Sequence, residues 1–233
     1  MGSYKNVGTI VGALLLTMLV AGPIENFVLM GPVVAAPGFL VNAAAHATSV
    51  SLAVMLSFGL CLASIAIAAV SYPLFRLQAP MLALWFFALT LAGVATSLIE
   101  NMTMMSMLSL SQSFVAANGA SPELYEGLRG MVGKARNWAH YTNLLVSGAT
   151  ILVLFGLLFR ARLVPRLLAG FGMVGALLQL YSVGRPFFGA EVLFPLLMPL
   201  GLAYLATSVW LLWKGFAEPP SSAPSHAPLG ARR

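Results

Sequence analysis

The sequence predicts an all-α, polytopic integral membrane protein, a helical bundle with about six transmembrane helices. Of its 233 residues, 60% are hydrophobic and 8% are charged, whereas about 25% of the residues in a typical soluble domain are charged. The mean hydropathy of +0.92 agrees with this composition. The apolar residues also fall into six runs, each long enough to cross about 30 Å of hydrocarbon as a helix.

The ends of the predicted helices are marked by proline, glycine and charged residues between the apolar runs. The predicted spans cover residues 7–30, 42–72, 81–108, 137–159, 166–184 and 190–213. We expect Pro73 to end the second span, and Pro195 and Pro199 to kink the sixth. The first run also resembles a signal peptide, but Gly22 and Pro23 make a poor cleavage site, which favours a retained helix. Residues 31–40 predict a turn-rich loop.

Two regions are expected along the chain. Residues 1–216 form a six-helix transmembrane domain, and residues 217–233, rich in Pro, Ser and Ala, predict a disordered cytoplasmic tail. Between the third and fourth spans, Ser121 and Pro122 suit the N-cap and first position of a helix. The apolar stripe that follows predicts a short amphipathic surface helix, lying on the bilayer or capping the bundle and hinged into the fourth span near Asn137.

The distribution of Lys and Arg predicts the orientation. With six spans, one side of the membrane holds eight of the twelve basic residues: Lys5, Arg76, Arg160, Arg162, Arg166, Lys214, Arg232 and Arg233. The other side holds Arg129, Lys134, Arg136 and Arg185. Because cytoplasmic loops are enriched in Lys and Arg, we expect both termini in the cytoplasm. This orientation explains the net charge of +6 without a nucleic-acid partner.

Polar residues inside the spans concentrate in the outer half of the predicted bundle. Arg136, His140, Asn143 and Ser147 recur at helical spacing and therefore line one face of the fourth span. Glu25 and Glu100 lie about 27–28 Å along their helices from the cytoplasmic side. Intramembrane ionisable residues usually mark a functional site. The candidate ligand or proton site comprises Glu25, Asn26, His46, Glu100, Asn101, Arg136, His140, Tyr141, Asn143, Gln179 and Arg185.

Each of these residues also has a structural interpretation. Glu25, Glu100 and Arg185 lie near enough to the outer edge for their side chains to reach interfacial water. Arg136 and either glutamate are suited to a structural ion pair that holds helix register. His46 suits the start of a helix. Convergence of six spans on a similar depth favours a shared polar site over these separate roles.

Three functions remain open. The first is binding or passage of a small ligand, ion or proton at the outer polar pocket. The second is a membrane-embedded enzyme in which a metal or haem is held by His46, His140, Glu25 and Glu100, although no HExxH motif is present. The third is a structural or partner-binding subunit with an exposed small-residue face at Gly8 and Gly12. No cofactor is required by the sequence, the expected surroundings are the lipid bilayer, and the oligomeric state is open.

Several short segments carry a resemblance to a known family. They include residues 21–27 (AGPIENF), 42–47 (NAAAHA), 100–101 (EN), 108–112 (LSLSQ), 135–141 (ARNWAHY) and 210–216 (WLLWKGF). With these segments, residues 5–216 resemble an uncharacterised bacterial family of multi-pass membrane proteins, a domain of unknown function of the DUF-4386 type. The resemblance implies a helical protein of the bacterial inner membrane. It implies no reaction.

Overall fold

The computed structural model describes residues 4–118 and 120–218, and these residues are almost entirely helical. Eight α-helices follow one another along the chain: α1 (Tyr4–Pro23), α2 (Gly31–Val34), α3 (Phe39–Ala45), α4 (Ala47–Gln78), α5 (Pro80–Ala116), α6 (Pro122–Arg160), α7 (Arg166–Gly184) and α8 (Met198–Lys214). A π-helix, Ile24–Leu29, continues α1, and two 3-10 turns, Arg185–Phe188 and Phe194–Leu197, connect α7 to α8. The described residues contain no β-strand, as the sequence predicts.

Six helical segments in the described residues are long and apolar enough to cross a membrane. They are Tyr4–Val34, Ala47–Gln78, Pro80–Ala116, Pro122–Arg160, Arg166–Phe188 and Phe194–Lys214. Only 17–33% of the most apolar window of each segment is buried by the rest of the protein. Apolar side chains such as Leu167 therefore point outward, with 90% of that residue exposed. An outward apolar surface of this extent suits lipid and not water, so the chain is a multi-pass membrane protein.

The six long helices form a ring. In order around it, α1, α4, α5, α6, α7 and α8 each pack on the next, and α8 packs on α1. One end of the ring holds the start of α1, the α6–α7 turn and the end of α8. There, the Ala217 amide donates to the carbonyl of Leu163 at 2.9 Å, and the Phe216 ring packs on Phe75. Lys5 lies at this end, against Gly215.

Two apolar cores stabilise the bundle. The larger core lies toward the Lys5 end and includes Val11, Phe75, Phe155 and Leu157, all 0–1% exposed. The smaller core lies toward the other end, where Val33, Val50 and Met104 pack together at 0–1% exposure. Between them lies a cavity whose wall carries both polar and apolar side chains.

Two glycines of α1 allow it to approach α8 closely. A methyl group at Gly8 would overlap the backbone of Gly215 and Phe216, and one at Gly12 would lie 2.7 Å from the Leu211 Cβ. Small residues permit this kind of backbone approach between membrane helices. The small-residue face expected to be exposed for a partner is therefore buried inside the chain.

The second, third and fourth predicted spans have different bounds in the structure. The second begins at Ala47, after a break at His46, and runs through Pro73 to Gln78. Proline is tolerated inside membrane helices because leaving the helix would expose more backbone to lipid. The third extends to Ala116, well beyond the predicted end at residue 108.

The separate surface helix between the third and fourth spans is not confirmed. Pro122 opens a helix, as predicted, but that helix is unbroken for 39 residues and has no hinge at Asn137. Ser121 precedes it without a side-chain capping bond. Since about 20 residues suffice to span the hydrocarbon, α5 and α6 extend past it as a hairpin, in which the Tyr125 hydroxyl donates to the Ser113 carbonyl at 3.1 Å.

The remaining connections also differ in part from expectation. The predicted loop 31–40 contains the short helix α2 and the start of α3. Pro195 and Pro199 do not kink a long helix; each lies in the first turn of a new one, the 3-10 turn and α8 respectively, where a missing N–H is harmless. The fifth span, Arg166–Gly184, has the predicted bounds. Most of the expected tail, residues 219–233, lies outside the described residues.

Candidate functional site

A cavity of about 280 Å³ lies inside the ring, between the two apolar cores. Five of the six long helices contribute to its wall, and so does the π-helix. At one end the lining is charged and polar, in the middle it carries hydroxyl groups, and at the other end it is apolar. The lining includes Met18, Glu25, Asn26, Ser57, Cys61, Ser64, Thr90, Gly93, Ser97, Glu100, His140, Asn143, Ser147, Thr150 and Tyr204.

The Glu100 carboxylate is the centre of the charged end. The Nδ1 atom of His140 lies 2.7 Å from Glu100 Oε1, and the Asn143 amide donates to Oε2 at 3.1 Å. Because a carboxylate accepts hydrogen bonds, this contact places a proton on His140 Nδ1. The Arg136 guanidinium forms an ion pair with Oε1 at 3.6 Å. With its side chain 11% exposed, Glu100 is thus held by three residues of α6.

The orientation of Asn143 is itself fixed by α5. The Thr96 hydroxyl lies 3.1 Å from Asn143 Oδ1 and 2.9 Å from the Gly93 carbonyl, and these two acceptors share its one hydrogen. The amide NH₂ group of Asn143 is the part left to face Glu100. Arg136, His140 and Asn143 lie at i, i+4 and i+7 on α6, which puts them on one helix face opposite Glu100. The α5–α6 pair therefore builds most of the charged end.

The π-helix brings a second carboxylate to the cavity. Pro23 ends α1, and the wider turn that follows carries Glu25 and Asn26 into the lining. The Asn26 amide donates to the Gly22 carbonyl at 3.0 Å, which satisfies a backbone oxygen at the irregular turn. Among the described residues, no side chain forms a hydrogen bond or an ion pair with the Glu25 carboxylate. π-Turns within helices are frequent at functional sites.

Hydroxyl groups and then apolar side chains line the deeper part. The Ser57 and Ser97 hydroxyls face each other at 3.3 Å. Further along, Ser64, Thr90 and Thr150 each donate to a carbonyl four residues earlier on their own helix. A smaller apolar recess of about 40 Å³ continues from there toward Phe86 and Leu154.

Comparison with known proteins identifies the family but not an activity. A family model described as a domain of unknown function, DUF4386, matches residues 10–215. The chain belongs to this family. No curated protein and no solved structure matches it. The match spans all six long helices, so the ring and its cavity lie within the DUF4386 domain.

In this DUF4386 chain, the structure brings five of the predicted site residues together in the cavity lining. These are Glu25, Asn26, Glu100, His140 and Asn143. Arg136 joins them through its ion pair with Glu100, and its buried Nε atom has no partner among the described residues. Their functional role stays a prediction.

The other five predicted residues have separate environments. His46 lies at the break between α3 and α4, where its Nδ1 atom is 2.9 Å from the Asn42 carbonyl. Gln179 donates to the Leu144 carbonyl at 3.2 Å, and Arg185 donates to the Glu191 carbonyl at 2.8 Å. Tyr141 packs on the rings of Trp138 and His140. Asn101 is buried beside Glu100, outside the cavity lining.

The proposed metal or haem ligands do not meet. His46 is absent from the cavity lining that contains His140, Glu25 and Glu100. In the part of the chain that the structure describes, no three His, Cys, Asp or Glu side chains are grouped closely enough to hold a metal ion. The alternative that uses these four residues as one ligand set is therefore not supported by their placement.

Sequence reasoning missed several cavity residues as members of the site. Ser57, Cys61 and Ser64 lie at i, i+4 and i+7 on α4, and Thr90, Ser97 and Glu100 follow the same helical period on α5. These spacings were detectable as small and polar stripes. Met18 of α1 gave no such signal, because it is itself an apolar residue in an apolar run. Tyr204 of α8 was detectable, since Thr207 and Ser208 follow it at i+3 and i+4.

Proposed function

We propose that this protein binds a small ligand in the cavity at the centre of its helical ring. The observation that carries the proposal is the cavity itself, with a charged end built from Glu25, Glu100 and His140 and an apolar opposite end. A volume of about 280 Å³ is close to the lower limit of ~300 Å³ typical of small-molecule sites. The ligand is accordingly small and has a polar head and an apolar portion.

The energetic argument supports a ligand at this place. Polar and charged groups inside a membrane span are costly unless they are paired. Two carboxylates lie around one cavity, and within the described part of the chain only Glu100 is paired with side-chain donors. A structural ion pair needs neither the second carboxylate nor an unfilled space beside it. A ligand that occupies the cavity explains the presence of the second carboxylate and of the cavity itself.

The proposed setting is the bacterial inner membrane with both termini in the cytoplasm. The family resemblance and the distribution of Lys and Arg support this orientation. Lys5, Arg76, Arg160 and Lys214 lie at or near helix ends on one side of the bundle. In this orientation the charged end of the cavity lies in the outer half of the membrane, and the ligand enters from outside the cell.

The native cysteine provides a direct test. Cys61 is the one cysteine of the chain and lines the cavity. Methyl methanethiosulfonate, a small neutral thiol reagent, should modify Cys61 in the folded, detergent-solubilised protein. Cys61→Ser gives the background. Gly93→Leu places a bulky side chain on the cavity wall and should slow the modification at least about tenfold.

A matched control separates filling of the cavity from general perturbation. Gly59→Leu adds the same side chain to α4 at an exposed position, where an added Cβ meets nothing within 4 Å. This variant should be modified at the wild-type rate. Failure of Cys61 to react in folded wild-type protein, with full reaction after denaturation, would show a closed interior and refute the ligand site.

Proton transfer is a second candidate function of the same residues. The 2.7 Å contact between His140 and Glu100 supports it, because an imidazole and a carboxylate at hydrogen-bond distance can pass a proton from one to the other. Proteoliposomes containing wild-type protein should then dissipate an imposed pH gradient faster than those containing His140→Phe. Equal rates for both proteins and for empty liposomes would exclude this function.

A further inference from the structure

The hydrogen bonds already formed at the charged end indicate which kind of ligand would fit there. Among the residues that line this end, Asn143 and His140 Nδ1 donate to Glu100, and Asn26 donates to the Gly22 carbonyl. The donors left over are one N–H of each amide, together with the Arg136 Nε–H, which lies outside the lining. What remains is mostly acceptor capacity, namely both oxygens of Glu25, Oδ1 of Asn26 and Nε2 of His140. A ligand that fits this end must therefore supply donors.

The middle of the cavity also offers mainly hydrogen-bond acceptors. The hydroxyl hydrogens of Ser64, Thr90 and Thr150 are used by backbone carbonyls at 2.8–3.0 Å, which leaves oxygen lone pairs for the cavity. The hydroxyls of Ser147 and Tyr204 can serve either as donors or as acceptors. An anionic head group would find few free donors along this wall.

The charges around Glu25 also favour a cationic ligand. Arg136 and His140 are both engaged by Glu100, and no cation among the described residues is paired with Glu25. The Glu100 carboxylate repels a charge on Glu25, although Arg136 and His140 beside Glu100 oppose that repulsion. A cation next to Glu25 would relieve that repulsion.

We propose that the ligand is a protonated amine with a short apolar tail, whose ammonium group is held by the Glu25 carboxylate. The inference rests on the proposed function and specifies its ligand class. The ammonium donates to Glu25, and the tail runs past Met18 and Tyr204 toward the apolar recess. An amine that bears protons is preferred over a quaternary ammonium, because the wall offers acceptors. Tyr204 is the one Phe, Tyr or Trp of the described cavity lining, and an aromatic cage for a quaternary ammonium needs several such rings.

Four compounds that share a six-carbon main chain test the head group: hexylamine, hexyltrimethylammonium, hexanol and hexanoate. Each is scored by its protection of Cys61 from methyl methanethiosulfonate, with the protein in nanodiscs of uncharged lipid. Hexylamine should protect at a concentration at least about tenfold below that of the other three. Relative to hexanol and hexanoate this is the effect of one ion pair in a partly desolvated site, and relative to hexyltrimethylammonium it is the effect of the N–H donors. The common chain length makes the contribution of the chain to partition into lipid nearly the same for all four compounds.

Substitution of Glu25 tests the proposed counter-ion. Glu25→Gln should raise the protecting concentration of hexylamine about tenfold and leave that of hexanol unchanged. Glu123→Gln removes the same charge at an exposed position on α6. It should leave the protecting concentrations of hexylamine and of hexanol unchanged. If Glu25→Gln fails to fold, the ranking of the four compounds on wild-type protein still decides the question.

The outcomes distinguish the two proposals. Equal or better protection by hexanoate or hexanol overturns the amine assignment but leaves a small-ligand site in place. Labelling of Cys61 that none of the four compounds slows also overturns the amine assignment. Absence of Cys61 labelling in the folded protein overturns the ligand site itself, and with it the amine.

Discussion

At the scale of single residues, Glu100 connects three side chains of α6 to α5. The contacts of His140 and Asn143 are hydrogen bonds, whereas Arg136 at 3.6 Å contributes mainly charge. The Arg136 side chain is 19% exposed and that of Glu100 is 11% exposed. The pair is thus neither at the surface, where ion pairs contribute little, nor fully buried, where losing one partner is costly.

Removal of Arg136 should therefore destabilise the protein to an intermediate degree. We expect Arg136→Ala to lower the free energy of unfolding by about 1–3 kcal/mol, between the effects of exposed and buried pairs. Glu100→Gln should also destabilise, and the double variant should cost less than the two single effects added together. Thermal denaturation in detergent, followed by tryptophan fluorescence, measures all three. Strict additivity would show that the two residues do not interact.

At the scale of helices, the close approach of α1 and α8 completes the ring. Gly8 lies against the backbone of Gly215 and Phe216, and backbone atoms cannot move aside as a flexible side chain can. Gly8→Ala should therefore lower the free energy of unfolding by about 1–3 kcal/mol through overpacking.

Gly59→Ala is the matched control for this interface. An added Cβ at Gly59 meets nothing within 4 Å, and alanine favours a helix more than glycine does. The midpoint of thermal unfolding of Gly59→Ala should be equal to or slightly above that of wild type. If Gly8→Ala is as stable as Gly59→Ala, the packing of α1 on α8 is looser than the structure has it.

Some features of the helices were predictable from the sequence and others were not. The number of spans and the bounds of α7 were predictable, because apolar runs and the Pro165 turn are local signals. The break at His46 was not, since no proline or glycine lies at residues 44–48. The continuity of α6 was hidden by Gly127, Gly130 and Gly133, which weaken an isolated helix but are tolerated in one that packs along α5.

The part of the site that lies on a single helix was predictable, whereas the contacts between helices were not. The face formed by Arg136, His140 and Asn143 follows from helical periodicity alone. That this face meets Glu100 and not His46 depends on the order of helices around the ring, which no single stretch of sequence encodes. His46 was assigned to the site by depth, but its ring contacts its own helix α3 at Asn42.

At the scale of the whole molecule, the ring has two chemically different ends. The end with Lys5, the α6–α7 turn and Gly215 is closed by the larger apolar core. The opposite end has the smaller core, the α5–α6 hairpin and the charged part of the cavity. Orientation in the membrane therefore decides from which side a ligand arrives.

Reporter fusions test the orientation. Fusions after Gly38, Ala117 and Phe188 should report the periplasmic side, and fusions after Gln78, Ala161 and Ala217 should report the cytoplasm. This alternation follows from six spans and the excess of Lys and Arg on one side. A periplasmic signal from the Ala217 fusion would contradict it.

The accessibility of Cys61 from each side of the membrane tests the central claim most directly, because it requires both the cavity and its outward opening. A cationic, membrane-impermeant methanethiosulfonate should modify Cys61 in spheroplasts and leave it unmodified in inverted vesicles, with Cys61→Ser as the background. The Gly93→Leu variant should show little modification from either side. Modification from inverted vesicles alone would place the opening on the cytoplasmic side and contradict the account.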